Sequence, residues 1–556
     1  MLSAGLCACG GGGDPAATGG DTSTGLVDPT SATTTPTDAT STEGSRTTGD
    51  GASGTGGTDT GTSPTTGDGT SGTDGASTTS ITTGGTGSGP GSSSATDTEA
   101  SSSSGTSMGE TAGLDGACGP APGNDPTPWS VHLGAPGEYM GVATVGARSG
   151  SVVYTTNFDA ILDLGGGPID PAGASHVLVA SHAPSGALQW ADHVGGPPQT
   201  TNIHGFDAAT DCAGNVVLAG TFHGEITVQR TTLTAVPGVE FDDGMSFPTV
   251  DWFVIKFGPD GALLWARRFG DLRSQRLRGV GVQIDGAVVV AGDVQGTMDL
   301  GGPPIVTAGP YPDTVLAALD PSGVFLWQRH VAGTKGTQFW RVDVGPDDRI
   351  AVLASATGAV DLGGGVLPYT GTAWVLAQYA ADGAHRWSHR WQHPAHMPSH
   401  LAADASGGVL VGGYSVPGDD TFPGFVVRHD AEGVFQWEHV FLTAPNSPDR
   451  VVLSVLAADH EVAVLGTLYG TFDFGGGPLS AVTPPTSMFV ARFDLAGGHL
   501  ESAVFDATQE QVPFAAAYGP DGELVSGGIF QGTFDLGAGP MVNVGAADMF
   551  VHRFGP

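Results

Sequence analysis

From Trp129 to the C-terminus, apolar residues fall in short runs, each closed by Gly, Asp, Pro or Ser. The second unit shows the pattern best. It runs from Gly205 to Ala209, turns at Asp211 to Asn215, and continues as VVLAGTF at Val216 to Phe222. After a long excursion it resumes as WFVIKF at Trp252 to Phe257 and LLWARRF at Leu263 to Phe269. Runs of this length bounded by turn residues predict strands, four to a unit, taken in order across one antiparallel sheet. Equivalent turns fall at Asp285-Gly286, Pro346 to Asp348, Asp404 to Gly408 and Pro520 to Gly522. Gly and Asp suit such turns because they tolerate the positive φ that tight hairpins demand.

The unit repeats. Its kernel, KFGPDGALLWARRFG at Lys256 to Gly270, returns as APSGALQW at Trp190, DPSGVFLW at Trp327, AADGAHRW at Trp387 and DAEGVFQW at Trp437. It weakens in DLAGGHLES, where Ser502 is assigned the tryptophan position. A large aromatic at one repeated strand position reads as packing between repeats, not as a sugar-stacking or quinone surface. A second string lies between the second and third strands: LDLGGGP at Asp163, MDLGGPP at Asp299, VDLGGG at Asp361, FDFGGGP at Asp473 and FDLGAGP at Asp535. No helix or Lys-Ser/Thr follows to make a phosphate loop, and no series of acidic ligands follows to make a calcium repeat. A bulged turn packed against its neighbour is expected instead.

The ends decide between a ring and a linear stack. TPWSVHLG at Thr127 to Gly134 has the form of a fourth strand, whereas MFVHRFGP at Met549 to Pro556 has that of a third. The opening strand can therefore complete the last sheet, which predicts an all-β, seven-bladed propeller of four-stranded antiparallel blades over 127–556. Closure also removes the edges on which open sheets aggregate. The strings G-T-F/M-D-L-G-G-G-P, F-V-A-R-F-D and D-x-x-G-x-x-x-W resemble the SBBP-type repeat of bacterial β-propellers, common in secreted proteins and lipoproteins of myxobacteria-like organisms. That resemblance covers Trp129 to Pro556 and implies the propeller fold. The fifth unit lacks the glycine string over Val409 to Asp430, and the second has EITVQRTTL at Glu225 to Leu233 in its place.

Composition adds a different element upstream. Residues 10–115 are almost entirely Gly, Ser, Thr, Asp, Ala and Pro. Such a segment has nothing to bury against the ~1 to 2 kcal/mol per residue lost on ordering, so it is expected to be a disordered tether. Residues 1–9, MLSAGLCAC, resemble the end of a lipoprotein signal whose Leu6, Cys7, Ala8 and Cys9 would make Cys9 the acylated residue, although a basic n-region is missing and the apolar run is short. Cys118 and Cys212 remain; they either form one disulfide or stay unpaired. The formal charge of -37, with 19 Lys plus Arg, argues against nucleic acid as a partner, because phosphate neutralisation needs basic clusters.

Candidate chemistry falls on the connections from each fourth strand to the next first strand, which should ring one mouth. Arg273, Arg276, Arg278, Lys335, Arg341 and Arg390 fall in or beside three consecutive connections and could hold an anion, or pair with nearby carboxylates. His385, His389, His393, His396 and His400 crowd the link between the fourth and fifth units. His393, His396 and His400 are the candidate metal ligands, although Pro394 and Pro398 forbid a helix that would align them. No nucleophile elbow, HExxH or paired-acid motif is present. The expectation is a monomeric, lipid-anchored or secreted cell-surface binding module for a protein or glycan, without cofactor or nucleic acid. The competing classes are an exported hydrolase or lyase acting on an anionic polysaccharide, and a structural spacer of the envelope or matrix.

Overall fold

The computed structural model describes Cys118 and residues 127–134, 142–147, 149–172, 174–197, 202–242, 245–307, 309, 311–332, 336–391, 393, 395–416, 423–441, 451–457, 460–481 and 487–555. The signal-like segment 1–9 with Cys9, the linker 10–115 and Lys335 lie outside the described residues.

Seven four-stranded antiparallel sheets form a β-propeller. The first blade comprises Val142–Gly146, Val152–Phe158, His176–His182 and Leu188–Val194. The next five open with Asn202–Thr210, Gln275–Val282, Thr337–Val344, His396–Ala403 and Val451–Ala457. The seventh takes Gln511–Tyr518, Leu524–Phe530 and Asp548–Arg553 from the C-terminus and Trp129–Leu133 from the N-terminus. Trp129 pairs with Arg553, Val131 with Val551 and Leu133 with Met549, so the two chain ends share one sheet. First strands of successive blades touch in an unbroken ring around the axis.

The middle strands explain the continuous apolar runs. Every residue of Val288–Val294 and of Asp313–Leu319 is buried, because each blade is sandwiched on both faces between its neighbours. The core is accordingly a series of slabs between blades. In one, Val217, Trp252 and Val254 of the second blade meet Val280, Val290 and Val315 of the third.

The two ends of the propeller differ in kind. At one end lie the turns between first and second strands and between third and fourth. Here each tryptophan reaches the next blade: the indole N–H groups of Trp129, Trp190, Trp265, Trp387 and Trp437 donate to the carbonyls of Pro184, Pro259, Pro321, Ala431 and Leu495 at 2.9 to 3.0 Å. Trp327 packs likewise on Gly383. The glycine beneath each ring is obligatory. Gly261, at φ 78°, would place a Cβ 2.7 Å from the Trp190 ring.

The sixth blade corrects the sequence assignment. Glu501, not Ser502, occupies the tryptophan position, opposite Arg492 as Trp437 is opposite Arg428. The reason is topological. The next blade is the one completed by both chain ends, so no turn joins its third and fourth strands, and a tryptophan there would have no carbonyl to meet. Glu501 instead forms an ion pair with Arg492, its carboxylate 3.2 Å from Nε.

Buried ion pairs staple the same end. Lys256 Nζ lies 3.2 Å from Asp211 Oδ2 and donates to Gly286 O of the next blade; Arg428 holds Asp404, and Arg553 lies 3.7 Å from Glu523. Cys212, in the first turn of the second blade, is disulfide-bonded to Cys118. With a sequence separation of 94 between the cysteines, Cys212→Ser should lower the unfolding free energy by about 2 to 5 kcal/mol, read as a shift in denaturant midpoint that reductant reproduces in the parent chain.

Candidate functional site

The opposite end carries the connections between second and third strands and those between blades, since alternating strands deliver both to the same side. Its loops vary in length and composition where the turns at the other end are nearly uniform. Such variable loops on a rigid frame are where recognition is usually placed.

The glycine strings are part of this end. Each forms a miniature hairpin, as in Leu162–Asp163 with Pro168–Ile169, and not the bulged turn expected. Asp163 Oδ1 accepts the N–H groups of Gly165 and Gly167 at 2.8 and 3.1 Å; Asp361, Asp473 and Asp535 repeat the arrangement. The middle glycine packs on its own blade's fourth strand: a Cβ on Gly364 would lie 2.1 Å from His385. These aspartates spend an oxygen on turn geometry, which accounts for the string without a ligand.

First strands enter the ring from this end, and each is bulged near its start. Register shifts fall beside Ala143, Arg278, Trp340, Ser399, Leu453 and Phe514, with a longer slip after His204. Bulges re-aim side chains. Of the expected arginines, Arg278, Arg341 and Arg390 find partners. Arg278 donates to Asp293 at 2.7 to 2.8 Å and lies 5.8 Å over the Trp340 ring, while Arg390 stacks 3.4 Å from the Tyr369 ring. Burial raises Asp293 to about 6, with the Arg278 charge opposing that rise. Arg341 donates to Trp340 O and sits beside His400. Arg273 and Arg276 are exposed. Among the described residues, Arg273, Arg276 and Arg341 form no salt bridge with a carboxylate.

The histidines divide. His393 and His396 converge, but their third neighbour is Glu438 on Phe435–Phe441, not His400. His393 Nδ1 and His396 Nε2 lie 3.6 and 3.3 Å from the same Glu438 Oε1. His400 instead bonds Ser399 Oγ on the inner strand. Desolvation, reinforced by His393 at the first and by the Arg341 charge at the second, lowers His396 to about 4 and His400 to about 3, so both are neutral at pH 7. Trp391 and Phe425 wall His396, the latter at a ring distance of 4.0 Å.

A cleft of about 370 Å³ opens between the first and second blades, within the usual range for small-ligand sites. Pro171, Ala172, His176, Asp192, His193 and Gln229 are among its lining residues. His176 and His193 stack at 5.1 Å, and His176 Nδ1 is buried without a partner. Burial lowers the His176 pKa, helped by the facing His193. Gln229 caps the hairpin Glu225–Val228, Thr231–Thr234 at φ 53°, held by hydrogen bonds to Asp192 Oδ2, Gly261 O and the Leu263 N–H. Ala172, across the cleft, is also left-handed, at φ 54°. Two of the three non-glycine residues at positive φ among those described thus line one concavity, and such strain concentrates at binding sites. Sequence reading passed over this cleft; its one visible signal was the hairpin EITVQRTTL in place of a glycine string.

No family model matches the chain, and no curated protein does. Solved structures resemble it in shape. Sqt1 from Chaetomium thermophilum aligns at 11% identity over 76% of this chain and 100% of that one, with a TM-score of 0.35. An acylaminoacyl peptidase in complex with Z-Gly-Gly-Phe-chloromethyl ketone aligns at 9% identity over 72% of this chain and 59% of its own length, with a TM-score of 0.33. A gluconolactonase from Xanthomonas campestris aligns at 12% identity over 61% and 90%, with a TM-score of 0.27. At these identities and scores none of them transfers an activity to this chain.

Proposed function

We propose that the chain is a cell-surface binding module of the SBBP-type propeller kind, lipid-anchored through Cys9 and the tether 10–115, that takes a glycan at its variable end. The observation that carries this reading is the cleft between the first and second blades. It combines a carboxylate, two imidazoles and an amide with the prolines Pro171 and Pro197. Polar groups at fixed positions beside ring faces suit a ligand with many hydroxyl groups and apolar C–H faces. Its walls are preorganised, because Gln229 is fastened by three hydrogen bonds, and rigid walls reduce the ordering cost of binding.

The test is a glycan array probed with the full chain and with Asp192→Ala and His193→Ala. The expected result is a defined set of glycans whose signal falls about tenfold or more in both variants, the scale of one lost polar contact in a preformed site. Retained binding in both variants would exclude the cleft, and an array without specific binding would exclude a glycan ligand.

A further inference from the structure

The geometry points to a transition-metal site formed by His393, His396 and Glu438, in a different pair of blades from the cleft and independent of its ligand. The connection from the fourth to the fifth blade makes a turn closed by the His396 N–H donating to His393 O at 3.0 Å. That turn stacks the two imidazoles 5.0 Å apart and within 3° of parallel. Glu438 comes from the outer strand of the fifth blade and meets both from the side.

The three ligand atoms lie within 4.8 Å of one another. Two of the edges, at 3.3 and 3.6 Å, fall close to the spacing set by tetrahedral zinc, where bonds of about 2.0 to 2.2 Å place ligand atoms roughly 3.3 to 3.5 Å apart. The donor set selects the ion. Two imidazoles with one carboxylate suit Zn²⁺, Co²⁺, Ni²⁺ or Cu²⁺, whereas Ca²⁺ and Mg²⁺ require oxygen-rich shells. The supporting wall is rigid: Phe425 lies against His396, Trp391 against both rings and Phe435 against His393. Access comes from the other side, since the His393 and Glu438 side chains are 25% and 27% exposed.

No arginine or lysine pairs with Glu438 among the described residues; its two ion-pair neighbours are the histidines themselves. Three protein ligands leave a tetrahedral ion one position for water or an oxygen donor, the arrangement of an open site. Bound there, the ion would tie the connection between blades to the outer strand and stiffen this part of the variable end.

The test uses the full chain without an affinity tag, stripped with EDTA and titrated with Zn²⁺ by calorimetry and with Co²⁺ by visible absorption. One equivalent should bind, with the intense visible bands of tetrahedral Co²⁺. Glu438→Gln and His393→Ala, both at partly exposed positions, should weaken binding about 100-fold or more while leaving the circular dichroism unchanged. His400→Ala should bind as the parent does. Absence of saturable one-to-one binding in the parent would overturn the site. So would undiminished binding by Glu438→Gln and His393→Ala, which would assign the metal to other histidines among the 17 in the chain.

Discussion

A chain lacking residues 127–133 will fail to give a soluble, monomeric propeller. The missing strand Trp129–Leu133 covers Asp548–Arg553, in which Met549, Phe550 and Val551 are fully buried. Without it, that strand becomes an unpaired apolar edge, a template for pairing with other chains. Three further losses follow. The Trp129 clasp on Pro184 disappears, Leu133 leaves the slab it shares with Val152 and Tyr154, and Asp548, wholly buried, loses His132 at 2.7 Å. Large aromatic truncations alone cost about 3 to 5 kcal/mol, and Asp548 keeps, among the described residues, only the N–H groups of Val544 and Gly545. Together the losses approach the ~5 to 15 kcal/mol that stabilises a typical domain. Size-exclusion chromatography should show aggregates for the truncated chain, and Trp129→Ala should show a folded monomer of lowered Tm.

The second large effect is expected at the uniform end, from Arg428→Met. Arg428 is 8% exposed and Asp404 fully buried. The guanidinium donates to Asp404 Oδ2 from Nε at 2.9 Å and lies 2.8 Å from it through Nη2. Asp404 Oδ1 meanwhile accepts the N–H groups of Ser406 and Gly408 and the Ser406 hydroxyl. Removing the cation leaves a buried carboxylate that the turn cannot release, a loss of about 3 to 5 kcal/mol. For a domain of this size the Tm should fall by roughly 3 to 6 °C in a scanning calorimeter. Adding Asp404→Asn should restore part of the loss, since the residual cost is desolvated charge; a double variant as unstable as the single one would contradict that origin.

Much of this architecture was legible because the repeat is written in local chemistry. The turn glycines, the tryptophans and the complementary strands at Trp129 and Phe550 each declare themselves within a dozen residues. The tryptophan position in the sixth blade was misplaced by one residue because the motif there had lost its anchor, and it had lost that anchor because the following blade has no third turn. Lys256, Arg428 and Arg553 read as ordinary charges on strands; only the register shows that they share one buried position beneath the first turns.

The candidate sites were less legible, for a physical reason. A site built across blades joins residues far apart in sequence, and Glu438 has no local mark that sets it beside His393 and His396. His400 looked equivalent to them by spacing, but it lies on the same inner strand as His396 beyond a register shift beside Ser399, where its partner is the Ser399 hydroxyl. The arginines cluster along the chain, yet Arg278, Arg390 and Arg341 turn to Asp293, Tyr369 and Trp340 while Arg273 and Arg276 stay exposed. Proximity in sequence is a good guide within a blade and a poor one between blades.

The division into a uniform structural end and a variable recognition end is tested most directly by hydrogen exchange. Mass spectrometry of the full chain, with and without the tightest-binding glycan from the array, should show ligand-dependent protection in 168–176, 190–197 and 225–231. The turns at Pro259 to Gly261 and Pro321 to Gly323 should exchange as in the free chain. Protection concentrated at those turns, with the cleft unchanged, would contradict the account.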